Sequence, residues 1–293
     1  MSTLSGVSTP PRETADGTSA QIPRSPQQRT EPVTIEFLTQ NDAMYVLPFF
    51  EEFFRNYASE FRISRVLFSP VMGKRTRRQM ATELLALYGP VGIVRLLGRA
   101  GAYRCLSVLP KGPSARRYYS LQQLCRAYGV PCDSIGNPNA AEIVAGIKTR
   151  QPDLLVSVAC PYILKDALLS VPPLGCINIH HAPLPRYKGM MPTFWQMFHG
   201  ERQVGVTVHY MAAKVDEGAA LLQDKLDIAP SETLDSLIRR AKRHGAHCMA
   251  RVLRDVAAGR QQPIQLDQSA GNYLTFPNAE QIREFRAKGL KAI

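Results

Sequence analysis

The sequence predicts an α/β protein built on an open, mostly parallel sheet with helices on both faces. Two observations lead there: short apolar runs alternate with stretches of helical period, and turn signals separate them at βα-unit spacing. With 293 residues and 45% hydrophobic composition the chain can bury a full core. Residues 1–32 differ in texture, being rich in Ser, Thr, Pro, Arg and Gln without apolar periodicity, and are expected to form a disordered tail.

From Val33 the elements follow in order. Val33 to Thr39 reads as a buried strand and Tyr45 to Tyr57 as a Phe-rich helix; Arg65 to Phe68 is a second strand. Lys74 to Tyr103 reads as two short amphipathic helices broken at Gly89-Pro90. Ser120 to Tyr128 is a helix ending at Gly129, and Ala140 to Thr149 another before the strand Asp153 to Val158. A short helix, Leu164 to Leu169, precedes the strand Cys176 to His180. Pro192 opens a helix to Phe198, and the strands Val204 to Met211 and Ala220 to Ile228 flank a turn holding Asp216. Ser231 is expected to cap a long helix to about Ala258, whose apolar stripe makes His244 and His247 structural. Tyr273 to Pro277 reads as a strand or arm, with a basic final helix.

Composition removes several function classes. No apolar run approaches the ~20 residues that span a bilayer, and the N-terminus lacks a signal-peptide pattern, so a cytoplasmic protein is expected. The six cysteines show no C-x-x-C pair; buried free thiols are expected, with no metal site. Thr39-Gln40-Asn41-Asp42-Ala43 follows the first strand without glycine, which disfavours a dinucleotide, and there is no Walker loop. The net charge of +12 is concentrated between residues 62 and 117, where twelve Arg and Lys face Glu83 alone. Such a block attracts phosphates or an anionic membrane, although most basic helix faces are merely solvated.

The strongest chemical signal is Asn178, Ile179 and His180 at a strand end, followed by the Pro-rich turn to Gly189, with Asp216 in a later turn. An amide, an imidazole and a carboxylate can stabilise an oxyanion and move a proton, as acyl transfer requires. A lone Asn or His is more often structural. Adjacent histidines on an extended segment point to opposite faces, so His180 and His181 are poorly placed to share a metal.

The segment Gly175 to Gly189, the strand Gly205-Val206-Thr207-Val208-His209 and the turn Val215-Asp216-Glu217-Gly218 resemble the folate-dependent formyltransferases. That family includes methionyl-tRNA formyltransferase, glycinamide ribonucleotide formyltransferase and the sugar N-formyltransferases. The resemblance is strong over about 150–260 and loose over 33–149. It implies a Rossmann-like formyltransferase fold, with a catalytic domain at 33–260 and a short C-terminal extension at 261–293. It also implies formyl transfer from 10-formyltetrahydrofolate to an amine, without a metal.

On that resemblance Asn178 and a protonated His180 would donate to the oxyanion, while Asp216 would pair with His180 and help shuttle the amine proton. The pterin would lie against Tyr162, Ile163 and Leu164 and the backbone of Lys214 and Val215, and His181, Arg186, Tyr187 and Lys188 are candidates for acceptor contact. The stretch after Asp216 is too short for the extra β-barrel of tRNA-formylating relatives. A small, phosphorylated acceptor such as a nucleotide- or lipid-linked amino sugar is therefore expected, and nucleic acid is disfavoured. The alternatives are tRNA formylation without that barrel and a non-catalytic folate or nucleotide-sugar binding module. Segment 74–103 is a candidate for peripheral membrane contact or a homodimer interface.

Overall fold

The computed structural model describes residues 32–71 and 76–293. The expected tail therefore lies outside the described residues except for Pro32, as do Lys74 and Arg75 of the 74–103 segment.

One seven-stranded sheet organises the chain. Its order is β3 (Cys132–Ser134), β2 (Arg62–Ser69), β1 (Thr34–Gln40), β4 (Leu154–Val158), β5 (Cys176–His180), β7 (Gln203–Tyr210) and β8 (Ala220–Asp227). The first five strands are parallel, and β7 and β8 join antiparallel at one edge. Strand β4 is buried throughout because helices cover both faces. Edge strand β8 instead exposes Gln223, Lys225 and Asp227 at alternate positions, a charged edge that resists further strand pairing.

Helices α1 (Leu47–Tyr57), α3 (Leu121–Ala127) and α7 (Leu234–Ala257) share one face of the sheet. Helices α4 (Ala141–Arg150) and α5 (Asp166–Leu169) pack on the other. The Phe-rich helix was legible for a physical reason: Phe49, Phe50, Phe53 and Phe54 fall on its buried face. Phe37 of β1 meets Phe50 and Phe53 edge-on, with both centroid separations 5.3 Å. Burial stabilises each such ring by about 1.5–3 kcal/mol. Glu36, fully buried on β1, accepts two hydrogen bonds from the Arg150 guanidinium, at 2.6 and 2.9 Å.

A third cluster lies beyond the carboxyl ends of the strands. There α2 (Arg77–Leu106), α6 (Pro192–Phe198) and α8 (Ala279–Ala287) meet the start of α7, and Phe194 stacks on Phe285 at 4.7 Å. Segment 261–293 thus packs into the body of the protein through Ile282 and Phe285. Two-residue strands β6 (Lys188–Gly189) and β9 (Tyr273–Leu274) pair beside it.

Several expectations need correction. The α7 cap is Thr233, whose side chain accepts from Ser236 N; Ser231 has a left-handed φ of 59°. Helix α2 does break at Gly89, where φ is 68°, but its Arg78–Leu106 stretch is long and apolar enough by composition to cross a membrane. The scattered arginines hide this when the segment is read as two short helices. The thiols are not uniformly buried, since Cys105 is exposed and Cys132 and Cys160 are half-buried.

Candidate active site

Strand β5 delivers Asn178 and His180 to the same side of its pleat, two residues apart. Antiparallel pairing sets Asn178 opposite His209 of β7. The chain then leaves β7 and turns back through Asp216, which adopts a left-handed φ of 56° and caps the site. Gly218 permits this turn, because a Cβ there would lie 1.7 Å from the Tyr210 carbonyl oxygen.

The three expected residues do meet, and His209 completes them. Asp216 Oδ2 lies 3.6 Å from His180 Nδ1, and Oδ1 lies 3.7 Å from His209 Nε2. Gly189 N donates to Asp216 Oδ2 at 3.0 Å, and His180 Nε2 donates to the Tyr187 carbonyl at 2.8 Å. His209 Nδ1 donates to the Tyr210 carbonyl at 2.7 Å, which leaves Nε2 to accept from Asn178 Nδ2 at 3.2 Å. Burial, opposed by the Asp216 charge, pulls His209 below its ordinary 6.5, so a neutral ring suits this role. His209 was visible in the sequence only as the end of a strand motif; its pairing with Asn178 is a tertiary fact.

The turn carrying these groups is fixed by buried polar contacts. Thr207 Oγ1 donates to the Ala182 carbonyl and accepts from Leu184 N, and Gln196 bridges the His181 carbonyl and Gly205 N. Gly205 must be glycine because a Cβ would approach Pro183 N to 2.4 Å.

The remaining candidates divide. His181 turns away from His180 into the protein, with Nδ1 3.3 Å from Lys242 Nζ and Nε2 close to Gly245. Burial and the Lys242 charge hold His181 well below 6.5, and burial lowers Lys242 to about 8. Asp42, after β1, faces that lysine and is raised by burial.

Tyr187 supplies its carbonyl to His180, while its hydroxyl donates to Glu201. Arg186 is exposed and pairs with the same carboxylate, and Lys188 is buried against Glu217. Leu164 has its side chain in the core and Ile163 is 61% exposed. The Ile163 carbonyl already accepts from Asn139. Lys214 is exposed. The main-chain groups of Lys214 and Val215 make no hydrogen bond among the described residues.

Outside this site, Asp224, His244 and Cys248 converge, but Arg251 already places a cation 3.4 Å from the Asp224 carboxylate. His247 packs against Tyr57.

The formyl transferase family model matches residues 132–253. Methionyl-tRNA formyltransferase of Trichlorobacter lovleyi is 36% identical over 153 residues, 52% of this chain and 48% of that protein. The Syntrophus aciditrophicus enzyme of the same name is 42% identical over 120 residues, 41% of this chain and 38% of that protein. The chain thus spans about half the length of the curated relatives it matches.

In fold it is similar to glycinamide ribonucleotide transformylase 1 from Symbiobacterium toebii, with a TM-score of 0.55 at 18% identity over 82% of this chain and 96% of that one. A sugar N-formyltransferase from Shewanella gives 0.53 at 19%, covering 87% of each chain. The segment that carries Asn178, His180, His209 and Asp216 matches the formyl transferase family model, and over that segment the chain is similar to methionyl-tRNA formyltransferases.

Proposed function

We propose that the chain transfers a formyl group from 10-formyltetrahydrofolate to the amine of a small phosphorylated acceptor, such as a nucleotide- or lipid-linked amino sugar. The observation that carries the reaction is one carboxylate, Asp216, facing both His180 and His209 while His209 orients Asn178. As the amine attacks the formyl carbon, charge grows on the formyl oxygen. The second N–H of the Asn178 amide has no partner among the described residues and supplies a fixed donor to that oxygen. His180 joins it by shifting its Nε2–H from the Tyr187 carbonyl, and Asp216 balances the imidazolium. Each such donor contributes on the order of 10²- to 10³-fold in rate. The His180–Asp216 pair then carries the amine proton toward N10 of the folate leaving group.

Folate suits the neighbouring turn because the main-chain groups of Lys214 and Val215 are unengaged within the protein. The exposed Ile163 side chain offers an apolar surface for a flat ring.

A second reading, charged initiator tRNA as the acceptor, is favoured by the identity to methionyl-tRNA formyltransferases. One assay separates them: purified protein and 10-formyltetrahydrofolate with amino-sugar nucleotides or with charged tRNA, following tetrahydrofolate release. Turnover on the sugars supports the first reading. Formylation of tRNA alone, lost steeply with salt, establishes the second. Folate binding without turnover on any amine refutes the enzyme.

A further inference from the structure

We infer that the outer face of α2 docks the protein on an anionic lipid surface. The second half of this helix carries two apolar faces. One, with Leu96, is buried in the protein, as is Tyr88 just before the break, and Arg99 on that side pairs with Asp235 at 2.8 Å. The other points outward: Val91, Val94 and Leu97 are 65%, 69% and 66% exposed. Gly98, Gly101 and Cys105 continue the same stripe at helical spacing, and a Cβ on either glycine would meet nothing within 4 Å. Val108 and Leu109 extend it beyond the helix end. A soluble surface scatters single apolar side chains; a contiguous stripe marks a contact site.

The rims of the stripe identify the partner. Arg95 and Arg104 lie on either side, both exposed and without an ion pair among the described residues; Arg78 and Arg116 are exposed on the same segment. An apolar stripe edged by arginines is complementary to acyl chains bounded by phosphate headgroups. It fits a second copy of the chain poorly, because a two-fold contact would bring identical cationic rims together. Although α2 is long and apolar enough to cross a bilayer, its inner face is committed to the protein. The helix therefore lies in the interface plane. It follows the carboxyl end of β2, and Tyr88 Oη is 2.9 Å from Tyr45 Oη in the segment after β1, so it lies on the carboxyl-end side of the sheet, as the candidate active site does.

Flotation of the full chain with phosphatidylcholine vesicles, with and without phosphatidylglycerol, tests this independently of the reaction proposed above. Binding is expected to the anionic vesicles and to be at least tenfold weaker without phosphatidylglycerol. Val94→Glu with Leu97→Glu should weaken it roughly hundredfold. Arg95→Gln with Arg104→Gln should do so roughly tenfold or more. These side chains are exposed, so the circular dichroism spectrum and Tm should not change. Equal or absent binding to the two vesicle types, or wild-type binding by the glutamate variant, overturns the inference. So does a dimer in light scattering that the glutamate substitutions dissociate, which would give the face to a second copy.

Discussion

Asn178 Nδ2 donates to His209 Nε2 at 3.2 Å, across the antiparallel junction between β5 and β7. The amide that the proposed reaction sets against the formyl oxygen is thus aimed by a buried histidine on the neighbouring strand. Asn178→Ala should lower kcat by about 10²- to 10³-fold with folate affinity nearly unchanged. His209→Leu should cost roughly 10²-fold in kcat through misorientation of that amide. His209→Gln should recover part of it, because its carbonyl can accept from Asn178. Equal loss in both His209 variants would make the ring merely a packing group.

Asp216→Asn should preserve the fold, since an amide oxygen can still accept from Gly189 N. The counter-charge to His180 is lost, and turnover should fall by about 10²-fold or more. Matching dichroism spectra with unequal single-turnover rates would verify this.

The buried histidines set an acid limit on stability. His181 and His209 titrate below the usual 6.5 in the folded protein, so below that pH the unfolded chain binds protons that the native state refuses. Stability should therefore fall as pH drops from 7 to 5, and less steeply in His181→Gln. Lys242, lowered to about 8 against an ordinary 10.5, acts on the alkaline side. Between those values the unfolded chain again holds the extra proton, so stability gains a rising contribution with pH that Lys242→Met removes. Denaturant midpoints across the pH range measure both.

Gly205→Ala should harm function more than folding. The new Cβ displaces Pro183 and with it the turn that presents His180 and Tyr187. A fall of roughly 10²-fold in kcat is expected, with a smaller effect on Tm than Phe53→Ala, which should cost about 3–5 kcal/mol.

Glu36 is fully buried and its only cationic partner among the described ion pairs is Arg150. Arg150→Ala strands that charge inside the sheet and should cost about 3 kcal/mol or more, whereas replacing both residues with apolar side chains should recover much of the loss. Urea titration of the single and double variants would show it.

The alternation of strands and helices was legible because a parallel sheet covered on both faces needs continuous apolar strands, and because β5 and α6 carry their own boundary residues. The strands β3 and β6 were not, since two or three residues have no readable period and pair only where the fold brings them together, whereas β9 falls inside the strand or arm expected at Tyr273 to Pro277. The misassigned cap at Ser231 has the same origin: Ser231 and Thr233 both offer a hydroxyl, and backbone geometry selected Thr233.

By itself the sequence determined the sheet architecture, the Asn178, His180 and Asp216 positions and the formyltransferase resemblance of the segment around them, because periodicity and motif spacing are local properties of the chain. Only the tertiary structure decided that His209 joins them, that His181 turns inward to Lys242, and that one face of α2 is left outside. Those outcomes depend on which strand pairs with which and on which helix face finds a neighbour, and both are settled by packing between residues far apart in sequence.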